Sequence, residues 1–180
     1  MFHQYRITDR HELRLFEIAD AEELFAVTDA NRAYLREWLP WVDGARSVAD
    51  SKSYIDSTLQ QFAENSGFVA AICYDEKIVG TICFNEINWH SRIGYIGYWL
   101  AESHRGKGLA TASCRTIIEC GFQILDLNRL VIACAVENNR SQAIPQRLNF
   151  THEGTARQAE WLYDYFVDHQ IYSLLRLDVG

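Results

Sequence analysis

The stretch Arg105-Gly106-Lys107-Gly108-Leu109-Ala110 combines two glycines with two cations, just ahead of an apolar-periodic segment. Glycines let the main chain turn with its amides facing inward, and a helix N-terminus behind them adds about half a positive charge, so such a loop can hold an anion, naturally a pyrophosphate. Arg105 and Lys107 can add direct charge. A ligand-free tight turn between strand and helix reads the same way, so the loop alone leaves both uses open. Two phosphate chemistries are excluded on residues. There is no Gly-x-Gly-x-x-Gly, and Lys107 is followed by Gly108 and Leu109, which leaves no hydroxyl for a magnesium ion.

The thiols point away from metal and disulfide chemistry. Cys73, Cys83, Cys114, Cys120 and Cys134 are odd in number, lie mostly in apolar runs and form no Cys-x-x-Cys pair. They read as free core thiols in a reducing compartment, with no metal site. Cys134 is the one that could be a nucleophile, but no activating histidine stands near it in sequence, and a buried wall residue is the better reading. His104 and His152 read as surface or packing residues before bases.

The elements that must position the loop can be read from period and punctuation. Residues 93–100 (Ile-Gly-Tyr-Ile-Gly-Tyr-Trp-Leu) form a strand, and Gly94 and Gly97 within it suggest a bulge or a close approach by another backbone or a ligand. A helix follows over 109–124, carrying Ala112, Ile117, Ile118 and Phe122. Residues 129–136 are nearly all apolar, as in a strand buried on both faces, and stand at crossover distance, so 93–100 and 129–136 should be parallel neighbours.

Ahead of this core, residues 68–74 and 78–84 flank Asp75-Glu76-Lys77 as an antiparallel hairpin. Ser47 with Asp50 starts a long helix reaching about Glu64. A strand is expected over 14–18, then a helix over 21–28 whose capping box would be Asp20 and Glu23. A further apolar-rich segment, 34–39, stops at Pro40, because the residue before proline is steered away from helix. Trp38, Leu39 and Trp41 form either a lip over an apolar guest or plain core anchors. A short helix (141–148) and strands near 154–158 and 166–177 end the chain. The expected fold is α+β: a mixed sheet of six to seven strands, antiparallel at first, with one parallel pair, flanked by helices.

With 180 residues and no linker, repeat or composition break, the chain is expected to form one domain over 1–180. Its 17 Lys+Arg against 24 Asp+Glu give a net charge of −7, the opposite of a nucleic-acid-binding footprint and a field that favours cationic visitors. Met1-Phe2-His3-Gln4-Tyr5-Arg6 lacks the apolar run of a signal peptide, and no stretch approaches membrane-span length, so the reading is cytoplasmic, without membrane or direct nucleic-acid partners.

Arg105-x-x-Gly108-x-Ala110 resembles the loop by which the GNAT family of N-acetyltransferases binds the CoA pyrophosphate. Further segments are similar to its RimJ/RimL branch, which acetylates ribosomal-protein N-termini: Tyr34-Leu35-Arg36-Glu37-Trp38-Leu39-Pro40-Trp41, Ile96-Gly97-Tyr98-Trp99-Leu100, Glu137-Asn138-Asn139-Arg140-Ser141, Arg147-Leu148-Asn149-Phe150 and Arg157-Gln158-Ala159-Glu160-Trp161. The resemblance runs over nearly the whole chain. It implies that the strand ending at Trp99-Leu100 splays from its parallel neighbour, that acetyl-CoA as co-substrate lies in the gap on main-chain hydrogen bonds and on residues 105–110, and that the Leu100 amide serves as oxyanion hole. It also implies that Asn138 lies beside the pantetheine, that Ser141 protonates the departing thiolate and that Glu160 is the general base. Each has a plainer use: Asn138 as a loop residue, Ser141 as a helix cap, Glu160 as a solvated glutamate. The family pattern Leu-Gly-Phe is here Leu148-Asn149-Phe150, and Asn is the usual substitute where a helix end needs a left-handed residue.

The resemblance implies direct acetyl transfer to an amine. An N-terminal α-amino group, with a pKa of about 7.7–8.0 against about 10.4 for lysine, suits such a site near neutral pH. The RimJ/RimL resemblance, with this preference beside it, implies the N-terminus of a ribosomal protein as the favoured acceptor. A small amine (polyamine, amino acid or aminoglycoside) is the alternative, and a non-catalytic acyl-CoA-binding module is a third reading. Trp38 and Trp41 are open to use as acceptor lip or as a subunit contact in a homodimer.

Overall fold

A computed structural model describes residues 4–179, so the first three residues of the stretch read above for a leader lie outside the described residues. The elements in chain order are β1 (Gln4–Arg6), β2 (His11–Leu15), α1 (Ala21–Ala30), α2 (Arg32–Arg36), α3 (Val48–Ala63), β3 (Phe68–Tyr74), β4 (Lys77–Asn88), β5 (Ile93–Leu100), α4 (Leu109–Glu119), β6 (Arg129–Ala135), α5 (Asn139–Arg147), β7 (Thr151–Leu162) and β8 (Tyr165–Leu175). The strands form one sheet in the order β1-β2-β3-β4-β5-β6-β8-β7. Every neighbouring pair is antiparallel except β5 and β6, which run parallel.

The expectation of six to seven strands is corrected to eight. The addition is β1, three residues paired to β2 at the sheet edge, too short to show an alternating pattern of its own. The strand expected over 14–18 is β2, at His11–Leu15, and the strand expected near 154–158 runs the length of Thr151–Leu162.

Several local rules hold as read. Asp75 and Glu76 carry the β3–β4 turn with φ of 51° and 63°, the two left-handed residues of a tight hairpin turn whose twist matches the strands. Ser47 caps α3, its hydroxyl oxygen accepting from the Asp50 N–H at 3.3 Å while donating to the Asp50 carboxylate at 2.8 Å. Asn149 follows α5 in the left-handed region with φ of 61°. Beyond Glu119, α4 widens into a π-turn over Cys120–Ile124, so the helical path reaches 124 as expected.

The capping box at Asp20 and Glu23 is not formed. The Asp20 carboxylate is taken by Arg14 at 2.7 and 2.8 Å and by the Glu17 N–H at 2.7 Å, and Glu23 instead accepts from the Ile78 N–H at 2.9 Å, tying α1 to β4. A tertiary ion pair outcompeted a local cap.

The sheet is covered on both faces. Leu13, Phe84, Ile117, Leu130 and Ile132 pack together on the face under α4, while Phe16, Leu24, Ile55, Ala71 and Ile78 pack on the face under α1 and α3. Fully burying a Leu, Ile or Phe side chain is worth about 1.5–3 kcal/mol, which holds β3 to β6 in place as the platform of the site.

Candidate active site

The parallel pair separates partway along. Registered partners run from Ile93 and Arg129 to Ile96 and Ile132 and stop there, although β5 continues to Leu100 and β6 to Ala135. Ala133 shows the consequence: it is exposed although its neighbours Ile132 and Cys134 are buried, because β5 no longer covers it. The gap opens into a cleft of about 1610 Å³, whose lining includes Ile96–Leu100, Arg105, Gly106, the start of α4 from Gly108 to Ala112, and Ile132–Ala135.

The bulge suggested at Gly94 or Gly97 falls on the neighbouring strand. Phe84 pairs with Ile96 and Glu86 with Tyr95, so Asn85 is the extra residue of β4. The glycines are the other half of this arrangement. A Cβ at Gly94 would strike the Phe84 ring at 2.7 Å, and one at Gly97 would strike the Asn85 amide at 2.5 Å.

Leu100 sits at the end of β5 opposite Gly80, and the next residue, Ala101, donates its N–H to the Val79 carbonyl at 2.7 Å. Main-chain donors alternate edges along a strand, so the Leu100 N–H faces away from β4 and into the gap. It is a main-chain donor left free by the sheet where a bound acyl oxygen could use it.

The anion loop has the expected backbone. Gly106 and Gly108 hold φ of 73° and 78°, and Gly108 is the N-cap of α4 without a side-chain cap. The first intrahelical bond there runs from the Ala112 N–H to the Gly108 carbonyl, which leaves the amides of Leu109, Ala110 and Thr111 free for an anion. Arg105 lines the cleft, its guanidinium paired with Glu102 and lying 4.5 Å from the Tyr34 ring centre. Lys107 points elsewhere: its ammonium lies 5.5 Å from the Tyr74 ring centre and does not line the cleft. Sequence reasoning missed Arg115, Arg140 and Arg147, which line the cleft and make it locally basic in a chain of net charge −7.

At the other wall, Asn138 caps α5: its Oδ1 accepts from the Ser141 N–H at 3.1 Å. The capping role considered for Ser141 therefore belongs to Asn138, and the Ser141 hydroxyl is free for other partners. It donates to Tyr98 Oη at 3.2 Å and lies 3.2 Å from the Cys134 sulfur, while the Tyr98 hydroxyl donates to the Ser141 carbonyl at 3.0 Å. The motif that contains Tyr98 assigns no role to its hydroxyl, which stands beside the Ser141 hydroxyl in the cleft. Burial raises its pKa well above the ordinary phenol value, so it remains a neutral donor and acceptor. Burial likewise pushes the Cys134 thiol up, away from the thiolate that a nucleophile requires.

Glu160, on β7, lines the same cleft with its side chain 33% exposed, and its Oε2 lies 3.4 Å from Nε2 of His169 on β8. His169 was not anticipated, because the pairing that brings it there is set by strand register. Trp38 and Leu39 line the cleft from the segment after α2, and Trp41 rests on Trp99 with ring centres 6.1 Å apart, so this segment is a lip rather than a core anchor. It is fastened to the β7–β8 hairpin by the Tyr163 hydroxyl, which donates to the Leu39 carbonyl at 2.7 Å. His104, at the cleft margin, packs edge-on against Tyr74, and the His152 ring lies tilted 5.1 Å from that of Tyr172. Among the described residues there is no cluster of three or more metal-ligating side chains, and no helix is long and apolar enough to cross a membrane.

Known proteins share this architecture. The chain is 35% identical over 173 residues to YdaF of Bacillus subtilis (strain 168), covering 95% of this chain and 94% of that one; its name places it provisionally among ribosomal N-acetyltransferases. It is 27% identical over 168 residues to the ribosomal-protein-serine acetyltransferase of Escherichia coli (strain K12), covering 93% and 94%. Among solved structures, the RimL ribosomal L7/L12 alpha-N-protein acetyltransferase in complex with coenzyme A superposes with a TM-score of 0.93 at 26% identity, covering 99% and 100%. The microcin C7 self-immunity acetyltransferase MccE, in complex with acetyl-CoA and AMP, superposes at 0.90 with 31% identity, covering 94% of each chain. The family described as the acetyltransferase (GNAT) domain matches residues 10–151, and with the splayed strands and amide-lined loop in place, the chain belongs to the GNAT acetyltransferases.

Proposed function

We propose that residues 1–180 work as one acetyl-CoA-dependent N-acetyltransferase domain that transfers acetyl directly to an amine, with the N-terminal α-amino group of a ribosomal protein as the favoured acceptor. The observation that carries this reading is the gap itself: a free Leu100 N–H at its floor, free amides of α4 at one end and Glu160 at the other, all lining one cleft.

The residues present fit the co-substrate. Beyond Ile96 and Ile132 the facing edges of β5 and β6 no longer pair with each other, as an inserted extended group requires, and the left-handed Gly106 and Gly108 with Arg105 fit a pyrophosphate. Arg115, Arg140 and Arg147 add charge along the same cleft, and Asn138 flanks the gap while capping α5. Trp99 and Ala110 supply wall and helix start, and Lys107 contributes main chain and field rather than a side-chain contact. Acetyl-CoA, when bound, supplies a thioester carbonyl and a thiolate leaving group.

Glu160 then takes a proton from the acceptor ammonium, directly or through water. The neutral amine forms the new C–N bond as the C–S bond breaks. Leu100 donates its N–H to the oxygen gaining charge, a contribution of about 2.7–4 kcal/mol for a positioned donor. Ser141 gives its proton to sulfur and takes up the one the nitrogen sheds as the amide forms, and Tyr98 keeps that hydroxyl at the gap. The rest is positioning and exclusion of water. No acyl-enzyme is required, which agrees with the raised Cys134 pKa.

The acceptor assignment is supported by the names of the relatives just described and by the lip of Trp38 and Leu39 over the acceptor end. A small polycationic amine is the second reading, favoured by the charge of −7 and by 25% identity over 149 residues to the spermidine N(1)-acetyltransferase of Escherichia coli (strain K12). The five unpaired buried thiols suit a reducing, cytoplasmic setting. Release of CoA thiol from acetyl-CoA, measured against peptides with free ribosomal-protein N-termini and against polyamines, amino acids and aminoglycosides, tests the proposal. Turnover on peptides supports it; turnover confined to small amines replaces the acceptor; binding of acetyl-CoA with no turnover on either panel overturns the transferase reading.

A further inference from the structure

We infer that His169 is a positioning residue for Glu160, an inference that rests on the reading of Glu160 as the base. The geometry is built by strand register. His169 lies on β8 between two neighbours, opposite Ala135 of β6 and opposite Ala156 of β7, while Glu160 lies opposite Val167. Directly opposed residues share a face, and Val167 and His169 are two apart, so Glu160 and His169 are diagonal neighbours on the face that lines the cleft.

That diagonal exists because β7 is bulged. Between the Ala156–His169 and Glu160–Val167 pairs, residues 157–159 of β7 stand against Asp168 alone. The bulge is fixed at its tip, where Gln158 holds a φ of 50° and donates its N–H to the Asp168 carboxylate at 2.7 Å. Bulges re-aim side chains, and this one aims a carboxylate at the acceptor end of the cleft.

Among the described residues, no hydrogen bond reaches the Glu160 carboxylate or the His169 ring, and the 3.4 Å approach of Nε2 to Oε2 is their one polar contact. The histidine is the more buried partner, its side chain 17% exposed against 33% for the glutamate, and its backbone is paired on both sides. It is therefore the more enclosed member of the pair and the carboxylate the more open one. An imidazole N–H at Nε2 donates to one carboxylate oxygen and leaves the second to face the incoming amine. The approach is longer than a formed hydrogen bond, as catalytic contacts commonly are before substrate closes the site.

The test compares wild type, His169→Leu, His169→Gln, Glu160→Gln and the double variant Glu160→Gln/His169→Leu, each checked for acetyl-CoA binding. His169→Leu lowers kcat by about tenfold or more with the KM for acetyl-CoA unchanged, the size expected for a lost hydrogen bond to a charged group. His169→Gln, which keeps an N–H donor, recovers most of that loss, and the double variant is no slower than Glu160→Gln alone. His169→Asn, polar but too short to reach, repeats the loss if the leucine variant fails to fold. A wild-type kcat for His169→Leu or His169→Asn beside an impaired Glu160→Gln, or a double variant slower by the product of both losses, overturns the positioning role and leaves Glu160 standing. A wild-type kcat for Glu160→Gln overturns the base and this inference together.

Discussion

Pro145 lies inside α5, where it has no N–H to offer the carbonyl four residues earlier, which is that of Ser141. The Tyr98 hydroxyl fills that vacancy at 3.0 Å and at the same time accepts from the Ser141 hydroxyl at 3.2 Å. One phenol from β5 thus serves both the main chain and the side chain of the proposed acid. Tyr98→Phe deletes both bonds and leaves a half-buried carbonyl unpaired, a loss of roughly 1–3 kcal/mol. For a chain of this size, each kcal/mol lowers Tm by about 2–4 °C. Pro145→Ala returns a main-chain N–H to the same carbonyl, so stability lost in Tyr98→Phe should be regained in Tyr98→Phe/Pro145→Ala, with a favourable coupling of about 1 kcal/mol or more. The hydroxyl pair is not rebuilt by that change, so kcat should stay depressed in both backgrounds. Thermal unfolding of the four proteins, read beside kcat at saturating acetyl-CoA, separates the two roles. Strictly additive stabilities would refute the substitution of phenol for the missing N–H, and a wild-type kcat in Tyr98→Phe would refute its hold on the Ser141 hydroxyl.

Other expectations concern the anion loop and a buried histidine. Gly108→Val places a β-branched residue at φ of 78°, where a Cβ meets no atom within 4 Å, so the penalty is backbone strain of about 1–2 kcal/mol or more and the turn relaxes. Acetyl-CoA Kd, measured by calorimetry, should rise several-fold while Gly44→Ala, also in open space but without positive φ, changes nothing; equal affinities would remove the loop amides from the binding site. His11 is buried against Ser113, its Nε2 3.0 Å from the hydroxyl oxygen, and burial lowers its pKa. The unfolded chain therefore takes up this proton first, near pH 6.5, and stability falls as pH drops from there toward the lower folded value, by at most about 1.4 kcal/mol per pH unit for one proton. His11→Gln should flatten that part of the stability profile relative to wild type, and an unchanged slope would show that His11 does not titrate on unfolding.

The parts legible in the sequence were those set by local rules or by an unbroken apolar run. The Asp75-Glu76 hairpin, the Ser47 cap and the parallel neighbourhood of β5 and β6 all fall in this class. The loop at 105–110 and the wall at 138–141 could be marked as well, since their chemistry is written in contiguous residues. What escaped depends on register and long-range pairing. β1 gains its pairing only from β2, Asp20 left its local cap for Arg14, and His169 meets Glu160 only through a bulge that no pattern in 151–162 announces. Tyr98 could have been found: a proline as the seventh residue of a short helix leaves a carbonyl at Ser141 that some donor must serve, and the strand expected alongside carries a phenol.

The central claim is that acetyl transfer takes place in the gap between β5 and β6. A crystal structure with a conjugate of CoA and the N-terminal residues of an accepted peptide addresses it directly. The account predicts extended pantetheine between the strands beyond Ile96 and Ile132, the bridging carbonyl oxygen on the Leu100 N–H, the sulfur beside Ser141 and the peptide nitrogen toward Glu160. A conjugate seated outside the gap, or one whose nitrogen faces away from Glu160, would contradict it.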